Sequence, residues 1–478
     1  MSVEILKQLF ERHFGSPPIQ VQPLQGNLGA SGRKIIRLRG RTADAIGILY
    51  PVYEENVAFI EFSRHFRCYG LPVPEIYAED LSRGAYLEED LGDTTLFQFL
   101  AQDRNGDNLA PAVVEAYQKA LSVLPTFQIE AGRTLNYSVA YPRASFDEQS
   151  IAWDLNYFKY YFLRLAGIAF NEQALEDDFQ RLTRLLLEAD RDYFLYRDFQ
   201  SRNIMLRDGE PWFLDYQGGR KGALQYDVAS LLYDAKADLP PKLRADLLEH
   251  YLGRLDEFMP LDRAAFMRLF YPYVYVRILQ ALGAYGFRGF YERKPLFLQS
   301  VPHALKNLRW LLNNVELPIP LPALTSAFRE MLASEKLTGA DATQRQELIV
   351  RIFSFSFHRG GPPQDNTGHG GGFVFDARGL PNPGREERFR RLTGGDAPVI
   401  EYLGRHDAVR HYLAHALSLV DASVESYRAR GFCDLMVAFG CTGGQHRSVY
   451  LANHLAEHLR SKGVTVALRH LEMEKVAG

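Results

Sequence analysis

Cysteine is scarce in this chain, which has three among 478 residues: Cys68, Cys433 and Cys441. They form no C-x-x-C pair and no plausible zinc-binding spacing, which excludes a disulfide framework and disfavours a zinc site. Long apolar runs are also missing, because no stretch reaches the about 20 residues that cross a bilayer and no apolar leader follows Met1. The sequence therefore predicts a cytoplasmic protein with no membrane partner.

An excess of one charge is absent as well. The 55 Lys and Arg nearly balance the 58 Asp and Glu, and the net charge is −3. No global field therefore attracts nucleic acid or an anionic membrane. The chain is 46% hydrophobic and 24% charged, as globular proteins usually are. Because 478 residues exceed what one hydrophobic core serves, we expect two or three domains.

Three regions follow one another along the chain. The first ninety residues alternate short apolar runs with turns, and predict strands at 34–38, 45–50 and 85–87 with a helix at 56–69. Amphipathic helices then dominate, and a strand signal at 352–357 opens a final α/β region. The predicted fold is an α+β two-lobed protein-kinase-like fold followed by a separate α/β domain. The predicted boundaries are 1–92, 93–340 and 346–478.

A kinase-like constellation lies in the middle region. Asp198 can accept the proton of an attacking hydroxyl, and Asn203, five residues later, can offer its amide oxygen to a metal. Twelve residues further on, Asp215 follows an apolar strand and can bridge Mg²⁺ and phosphate. A lone Asp-x-x-x-x-Asn pair is weak evidence. Together with the strand-borne Asp215 and an upstream glycine-rich hairpin, it favours phosphoryl transfer.

Residues 20 to 315 resemble the aminoglycoside phosphotransferase/choline kinase branch of the protein-kinase-like fold, and within it the N-acetylmuramate/N-acetylglucosamine anomeric kinases. The resemblance implies ATP and Mg²⁺ as cofactors, a sugar substrate and Asp198 as the base. It also implies that a hinge containing Glu89 and Leu91 meets adenine through its backbone. The nucleotide-covering turn implied by the resemblance consists of Gly29, Ala30, Ser31, Gly32, Arg33 and Lys34.

Two groups that are usual in that fold are missing. Tyr196 stands where a histidine normally precedes Arg197, which can alter packing beneath the catalytic loop. The strand at 45–50 lacks the lysine that usually pairs with nucleotide phosphates, so Arg33, Lys34 or Arg37 would have to supply the positive charge. The anomeric kinases resemble this chain in that absence, which favours a subfamily trait over an inactive enzyme.

Two further acids have alternative interpretations. Asp227 can be a metal ligand, but we favour a helix N-terminal acid that steadies the catalytic loop. Asp154 and Asn156 lie in an aromatic-rich helix and are candidates for binding sugar hydroxyls.

A second anion site is predicted near the end of the chain. The glycine-rich turn from Cys441 to Ser448 lies between an apolar strand and a helix, where backbone N–H groups and the helix end attract anions. A cysteine followed by arginine and serine also fits a cysteine-dependent phosphatase, although Gly440 stands where a histidine is usual. A tight turn with glycines for steric reasons is the third interpretation.

Residues 350 to 475 resemble the C-terminal domain of the RapZ family of RNase adapters. The shared segments are 373–383, 392–394 and 440–450. The resemblance implies a sensor of glucosamine 6-phosphate that, in enterobacterial members, also binds small RNAs and an RNase. It implies that Asp376 binds the hydroxyl groups or the amine of the sugar and that Arg378 or Arg447 binds its phosphate. The alternative for Asp376 is a structural salt bridge with Arg378. The implied phosphosugar-binding residues are Asp376, Arg378, Cys441, Thr442, Gly443, Gly444, His446, Arg447 and Ser448.

RNA binding is the less favoured part of that resemblance. Gln445 replaces the usual lysine of the loop, and the segment 472–478 lacks a basic tail. The sequence predicts a sugar kinase that forms a sugar 1-phosphate from an N-acetylated amino sugar, fused to a domain that binds a phosphorylated amino sugar. An adapter of the RapZ type and a bifunctional kinase/phosphatase are the alternatives, and the oligomeric state stays open.

Overall fold

The computed structural model describes residues 3–24, 32–41, 43–102, 104–105, 108–339, 348–365, 372–429 and 432–473. The chain divides into two compact units, Met1–Ala340 and Asp341–Gly478. Within the described helices, none combines the length and the apolar character needed to cross a membrane.

The first unit begins with an antiparallel sheet. Its five strands lie in the order β1-β2-β3-β5-β4, and every neighbouring pair is antiparallel. Helix α1 covers one face of the sheet, where Leu6 and Phe10 join the same apolar cluster as Leu38 and Leu87. The elements of this lobe are α1 (Val3–Phe14), β1 (Gln20–Pro23), β2 (Lys34–Arg39), β3 (Asp44–Leu49), α2 (Tyr53–Cys68), β4 (Ile76–Asp80) and β5 (Ala85–Glu89).

Alternation along β5 assigns its side chains to two faces. Ala85 and Leu87 belong to the cluster beneath α1, whereas Tyr86 belongs to the large core that also contains Phe59 of α2. Because successive side chains of a strand point to opposite faces, Glu88 lies on the same face as Tyr86.

A predominantly helical lobe completes the first unit. Helix α11 is its longest, and its residues are buried on most sides because α6, α8, α9 and α12 pack around it. The helices are α3 (Leu96–Gln102), α4 (Pro111–Pro125), α5 (Gly132–Thr134), α6 (Glu148–Phe158), α7 (Arg164–Ala166), α8 (Glu172–Leu186), α9 (Gln225–Leu232), α10 (Pro241–Leu255), α11 (Arg263–Gly286), α12 (Val301–Asn314), α13 (Pro322–Ala333) and α14 (Glu335–Thr338).

Short antiparallel strand pairs interrupt these helices and flank the kinase-like motif. β8 pairs with β11, and β9 pairs with β10, so that the polar segment between them is held at both ends. The short strands are β6 (Arg104–Asn105), β7 (Asn108–Leu109), β8 (Tyr193–Leu195), β9 (Ile204–Arg207), β10 (Glu210–Phe213) and β11 (Arg220–Gly222).

The second unit contains a four-stranded parallel sheet with the order β13-β14-β12-β15. Because β12 and β14 are neighbouring parallel strands, their carboxyl ends, at Ser356 and Cys441, lie side by side at one edge of the sheet. The predicted fold class is confirmed. The elements are β12 (Ile349–Ser356), β13 (Gly372–Asp376), α15 (Ala397–Gly404), α16 (Asp407–Ala429), β14 (Asp434–Cys441), α17 (Arg447–Ser461) and β15 (Thr465–His470).

Candidate functional sites

The structure brings together the three residues of the kinase-like motif. The Asn203 side-chain amide donates to the Asp198 backbone carbonyl at 2.9 Å and to Asp215 Oδ2 at 3.1 Å. The Asp198 carboxylate is 38% exposed, and Arg277 of α11 lies 3.9 Å from its Oδ1. Because the Asn203 nitrogen makes both hydrogen bonds, its oxygen is the atom left to bind a metal.

Asp215 carries the features of a cation ligand. Its backbone has φ +67°, in the left-handed region that a residue other than glycine seldom adopts. Desolvation and the nearby Asp198 charge raise the pKa of Asp215, while Arg33 opposes the shift. The Asp215 carboxylate and the Asn203 amide oxygen are donors that suit a hard divalent cation, and such a cation would relieve the repulsion between the Asp215 and Asp198 carboxylates.

Arg33 faces this acidic pair from the edge of the sheet. Its side chain is 9% exposed, and its Nη2 lies 2.5 Å from Glu55 Oε2 of α2 while its Nη1 lies 3.4 Å from Asp215 Oδ1. Its guanidinium also lies over the Tyr50 ring, 4.7 Å from the centroid. Arg33 therefore places positive charge beside Asp215, in a lobe whose β3 strand has no lysine.

The other two cations named from the sequence lie elsewhere. Arg37 binds Asp90 at 2.6 Å and Asp93 at 2.8 Å, so it ties β2 to the hinge. Lys34 is exposed.

The structure describes only some of the residues of the predicted nucleotide site. Leu91 is buried in the hinge, and the Glu89 side chain turns to Arg207 at 2.7 Å while its backbone N–H donates to the Glu75 carbonyl at 2.9 Å. Gly32 has φ +73°. Gly29, Ala30 and Ser31 lie outside the described residues.

Asp227 steadies the catalytic loop. Its fully buried carboxylate accepts hydrogen bonds from the backbone N–H groups of Tyr196 at 2.8 Å and Arg197 at 3.0 Å, and from the Gln128 amide at 3.2 Å. The interpretation of Asp227 as a loop support is therefore confirmed. Asp154, a candidate for sugar hydroxyls, instead binds Arg197 through both carboxylate oxygens at 2.6 and 2.7 Å.

In the second unit, the predicted phosphate loop lies at the carboxyl end of β14. Thr442 and Gly443 are exposed, whereas His446 and Ser448 are buried at the start of α17. Gly444 has φ +71°, and a Cβ there would lie 2.5 Å from a carbon of the Glu472 side chain, so only glycine fits. Exposed backbone groups at a helix N-terminus can receive an anion.

The Cys441 thiol lies beneath this loop. The residue is 2% exposed, and its Sγ lies 3.2 Å from both Ser448 Oγ and the Gly444 nitrogen. Burial raises the pKa of Cys441, but hydrogen bonds from Ser448 and Gly444 and the Arg447 charge outweigh it, so the pKa lies below its ordinary value. The burial of the sulfur places Cys441 in the wall of the loop and disfavours a nucleophile open to substrate.

Two arginines near the loop have different surroundings. Arg447 is 3% exposed and donates to the carbonyls of Arg378 at 2.8 Å and Leu380 at 3.0 Å, so it joins the loop to the end of β13. Arg378 is about half exposed, forms an ion pair with Asp376 at 2.7 Å and lies over the Phe357 ring. The structure thus brings Asp376 and Arg378 beside the loop, with Arg378 the more accessible cation.

Two protein families match different parts of the chain. Residues 34–263 match the phosphotransferase enzyme family, and residues 348–474 match the RapZ C-terminal domain. The chain joins a phosphotransferase-family domain to a RapZ C-terminal domain. These matches confirm the predicted resemblances to the phosphotransferase family and to the RapZ C-terminal domain, and the predicted class of enzyme, a phosphotransferase with an alcohol group as acceptor. The resemblance to the anomeric kinases stays a prediction.

Curated relatives cover the second of these domains. An RNase adapter protein RapZ from Hamiltonella defensa is 38% identical over 133 residues, which are 28% of this chain and 45% of that protein. The RapZ of Yersinia enterocolitica is 38% identical over 132 residues, which are 28% of this chain and 44% of that protein. The chain thus spans less than half the length of the curated relatives it matches.

Solved structures resemble the phosphotransferase-family domain. Choline kinase LicA from Streptococcus pneumoniae is 14% identical with a TM-score of 0.41, and covers 65% of this chain and 98% of its own. A choline kinase from Cryptosporidium parvum is 11% identical with a TM-score of 0.47, and covers 69% of this chain and 100% of its own. Aminoglycoside phosphotransferase APH(2'')-Ib, solved with ADP bound, is 13% identical with a TM-score of 0.41, and covers 64% of this chain and 97% of its own.

Sequence reasoning missed several groups around the phosphotransferase-family site. Glu55 partners Arg33 from a different element, and Arg277 reaches Asp198 from α11, so no sequence spacing links either pair. The role of Tyr196 was also open. Its buried hydroxyl donates to the Leu214 carbonyl at 2.6 Å, which connects the catalytic loop to the strand end that precedes Asp215.

Replacing Asp227 with alanine is expected to destabilise the phosphotransferase-family domain. Three donors, two of them on the catalytic loop, would lose a fully buried acceptor. Unpaired buried donors cost about 1–3 kcal/mol each, so we expect a loss of about 3 kcal/mol or more. Urea unfolding followed by circular dichroism measures it. Asp246→Ala, on the exposed face of α10, is the matched control, and equal stability of both variants would contradict the supporting role.

Proposed function

We propose that this protein is an ATP-dependent sugar kinase that forms a sugar 1-phosphate from an N-acetylated amino sugar. The observation that carries the proposal is that Asn203 hydrogen-bonds to both Asp198 and Asp215, with Arg33 lying 3.4 Å from Asp215. This set provides a base, oxygen ligands for a cation and a positive charge for phosphate. The choice of an amino sugar rests on the resemblance of residues 20 to 315 to the anomeric kinases.

Each residue has a distinct role in the proposed reaction. Asp198 accepts the proton of the sugar hydroxyl while the hydroxyl oxygen attacks the γ-phosphorus of ATP. The bond from that phosphorus to the ADP leaving group then breaks. Arg277 and Gln200, which lie 3.9 Å and 3.4 Å from Asp198 Oδ1, orient the carboxylate. Asp215 and Asn203 would hold Mg²⁺, which neutralises phosphate charge when bound.

A screen of sugars tests the proposal. Purified full-length protein is incubated with ATP, Mg²⁺ and one sugar at a time, including N-acetylmuramate, N-acetylglucosamine, glucosamine and unmodified hexoses. ADP formation and the phosphorylated product are both measured, because ADP alone does not show transfer to a sugar. Product from an N-acetylated amino sugar is expected, and absence of product with every sugar would contradict the proposed activity.

We also propose that the RapZ C-terminal domain binds a phosphorylated amino sugar, such as glucosamine 6-phosphate, and regulates the kinase or channels its product. The exposed residues Thr442 and Gly443 in the turn before α17 and the accessible Arg378 support an anion site there. Asp376, beside Arg378, is suited to the amine or hydroxyl groups of the sugar.

Arg378→Ala is expected to weaken binding of glucosamine 6-phosphate to the full-length protein about tenfold or more, because a charge-assisted contact to phosphate is lost. Isothermal titration calorimetry measures the effect, with unphosphorylated glucosamine as the ligand control. Arg388→Ala is the matched variant, since Arg388 is an exposed arginine paired with Glu386 in the same unit. Equal affinity of the two variants would show that Arg378 does not contact phosphate.

The similarity to RNase adapter proteins supports a second candidate function. In it, the phosphotransferase-family domain binds nucleotide without transferring phosphate, and the second domain contacts RNA or an RNase. Nucleotide binding without any phosphorylated sugar, together with direct binding of a purified RNA or RNase, would favour this function over the kinase.

A further inference from the structure

Glu88 is a buried acidic residue in the sheet of the first lobe. It lies on β5, immediately before the hinge, and is paired across the sheet with Ile46 of β3 and Ile76 of β4. Its side chain shares the face of Tyr86, which packs against Phe59 of α2. The hinge side of this face is where the proposed kinase holds its nucleotide base.

The Glu88 carboxyl is buried and incompletely paired. The residue is 8% exposed, and its Oε2 meets no hydrogen-bond donor among the parts of the chain that the structure describes. Burial raises its pKa to about 8, with the Arg33 charge opposing the shift and the Asp215 and Asp90 charges adding to it. A buried carboxyl that no donor pairs destabilises the folded protein. Oε2 itself is shielded from solvent, so a ligand that brings a donor to the part of Glu88 that stays exposed is favoured.

We propose that Glu88 selects the purine base of the nucleotide by accepting a hydrogen bond from the exocyclic amine of adenine. This inference rests on the proposed function, because it requires a nucleotide at the hinge. Guanine has a carbonyl oxygen at the ring position where adenine has its amine. That oxygen and the carboxylate are both acceptors, so they repel each other and leave the Glu88 oxygen unpaired. At a pH above the pKa of Glu88, where the carboxylate only accepts, the site therefore binds ATP in preference to GTP.

Isothermal titration calorimetry with Mg²⁺-nucleotides tests the selection without requiring sugar turnover. The full-length protein is titrated at a pH about one unit above the pKa of Glu88, where the carboxylate is ionised and only accepts. We expect ATP to bind about tenfold or more tightly than GTP, since a site built for a donor rejects an analogue without it. In Glu88→Gln the amide can donate to the guanine oxygen, so the preference is expected to fall to about threefold or less.

Two controls make the result specific. Glu79→Gln changes the same side chain on the neighbouring strand β4, where Glu79 pairs with Arg64, and is expected to keep the full preference for ATP. Inosine triphosphate has the same carbonyl oxygen as guanine but no second amine, so the unmodified protein is expected to bind it as weakly as GTP. This arm holds even if Glu88→Gln fails to fold.

The outcomes separate the inference from the proposed function. Equal binding of ATP and GTP, tight binding of inosine triphosphate, or an unchanged preference in a folded Glu88→Gln variant would each overturn the role of Glu88 while leaving the kinase intact. If no nucleotide binds, the proposed function fails and the inference fails with it.

Discussion

Asp198→Asn is expected to reduce the rate constant of phosphate transfer about 100- to 10,000-fold, the range that general bases contribute. An amide cannot accept the hydroxyl proton, but its size matches the carboxylate, so the surroundings of Asn203 and Asp215 stay in place. Nucleotide affinity should change far less than turnover. Measurement of kcat, KM for ATP and the Kd of ATP in the same variant separates the two effects.

A matched substitution controls for the effect of changing an aspartate to asparagine. Asp208 lies in the turn between β9 and β10 with φ +53°, a conformation that asparagine tolerates well. Asp208→Asn is expected to keep full activity. Undiminished sugar phosphorylation by Asp198→Asn would show that another group takes the proton, and would remove the main support for the proposed mechanism.

Arg33→Met is expected to reduce kcat/KM for ATP about 100-fold or more. The substitution removes the cation that lies 3.4 Å from Asp215 and 2.5 Å from Glu55. In the methionine variant, the phosphates would meet two carboxylates with no compensating charge, and transition-state stabilisation by one charged group is commonly worth about 100-fold or more. The kinetic constants for ATP at saturating sugar measure the loss.

Arg33→Lys separates charge from shape. Lysine keeps the positive charge but cannot bind Glu55 and Asp215 at once as a planar fork does, so we expect an activity between those of the methionine variant and the unmodified protein. Lys34→Met, one residue away on an exposed side chain, is expected to have little effect. If Lys34→Met and Arg33→Met reduced kcat/KM equally, the structural assignment of the charge to Arg33 would be wrong.

Much of the site could be predicted because its chemistry is local in sequence. Asp198 and Asn203 lie on one loop, and Asp215 follows at the end of the next hairpin, so their spacing alone brings them close. The phosphate loop at 441–448 is similarly contained in one strand-turn-helix unit. Hydrophobic periodicity predicted the strands on both sides of these segments, since the same alternation that marks a strand also buries it.

Other features depend on side chains that are distant along the chain. The sequence left three cations as candidates for the positive charge beside the nucleotide phosphates. The structure distinguishes them, because Glu55 of α2 lies beside Arg33 whereas the hinge acid Asp90 binds Arg37. The buried ion pair of Asp154 with Arg197 is of the same kind, since 43 residues separate its members.

The sequence by itself determined the two kinds of domain and the order in which they occur, and it predicted the residues of the kinase-like motif, because periodicity and motif spacing are properties of short segments. The tertiary structure alone decided which arginine faces Asp215, that the Cys441 sulfur lies beneath its loop, and that Glu88 is buried with an unpaired oxygen on the hinge side of the sheet. These are matters of burial and of charge placed across separate elements, and they exist only once packing has removed water from between the groups.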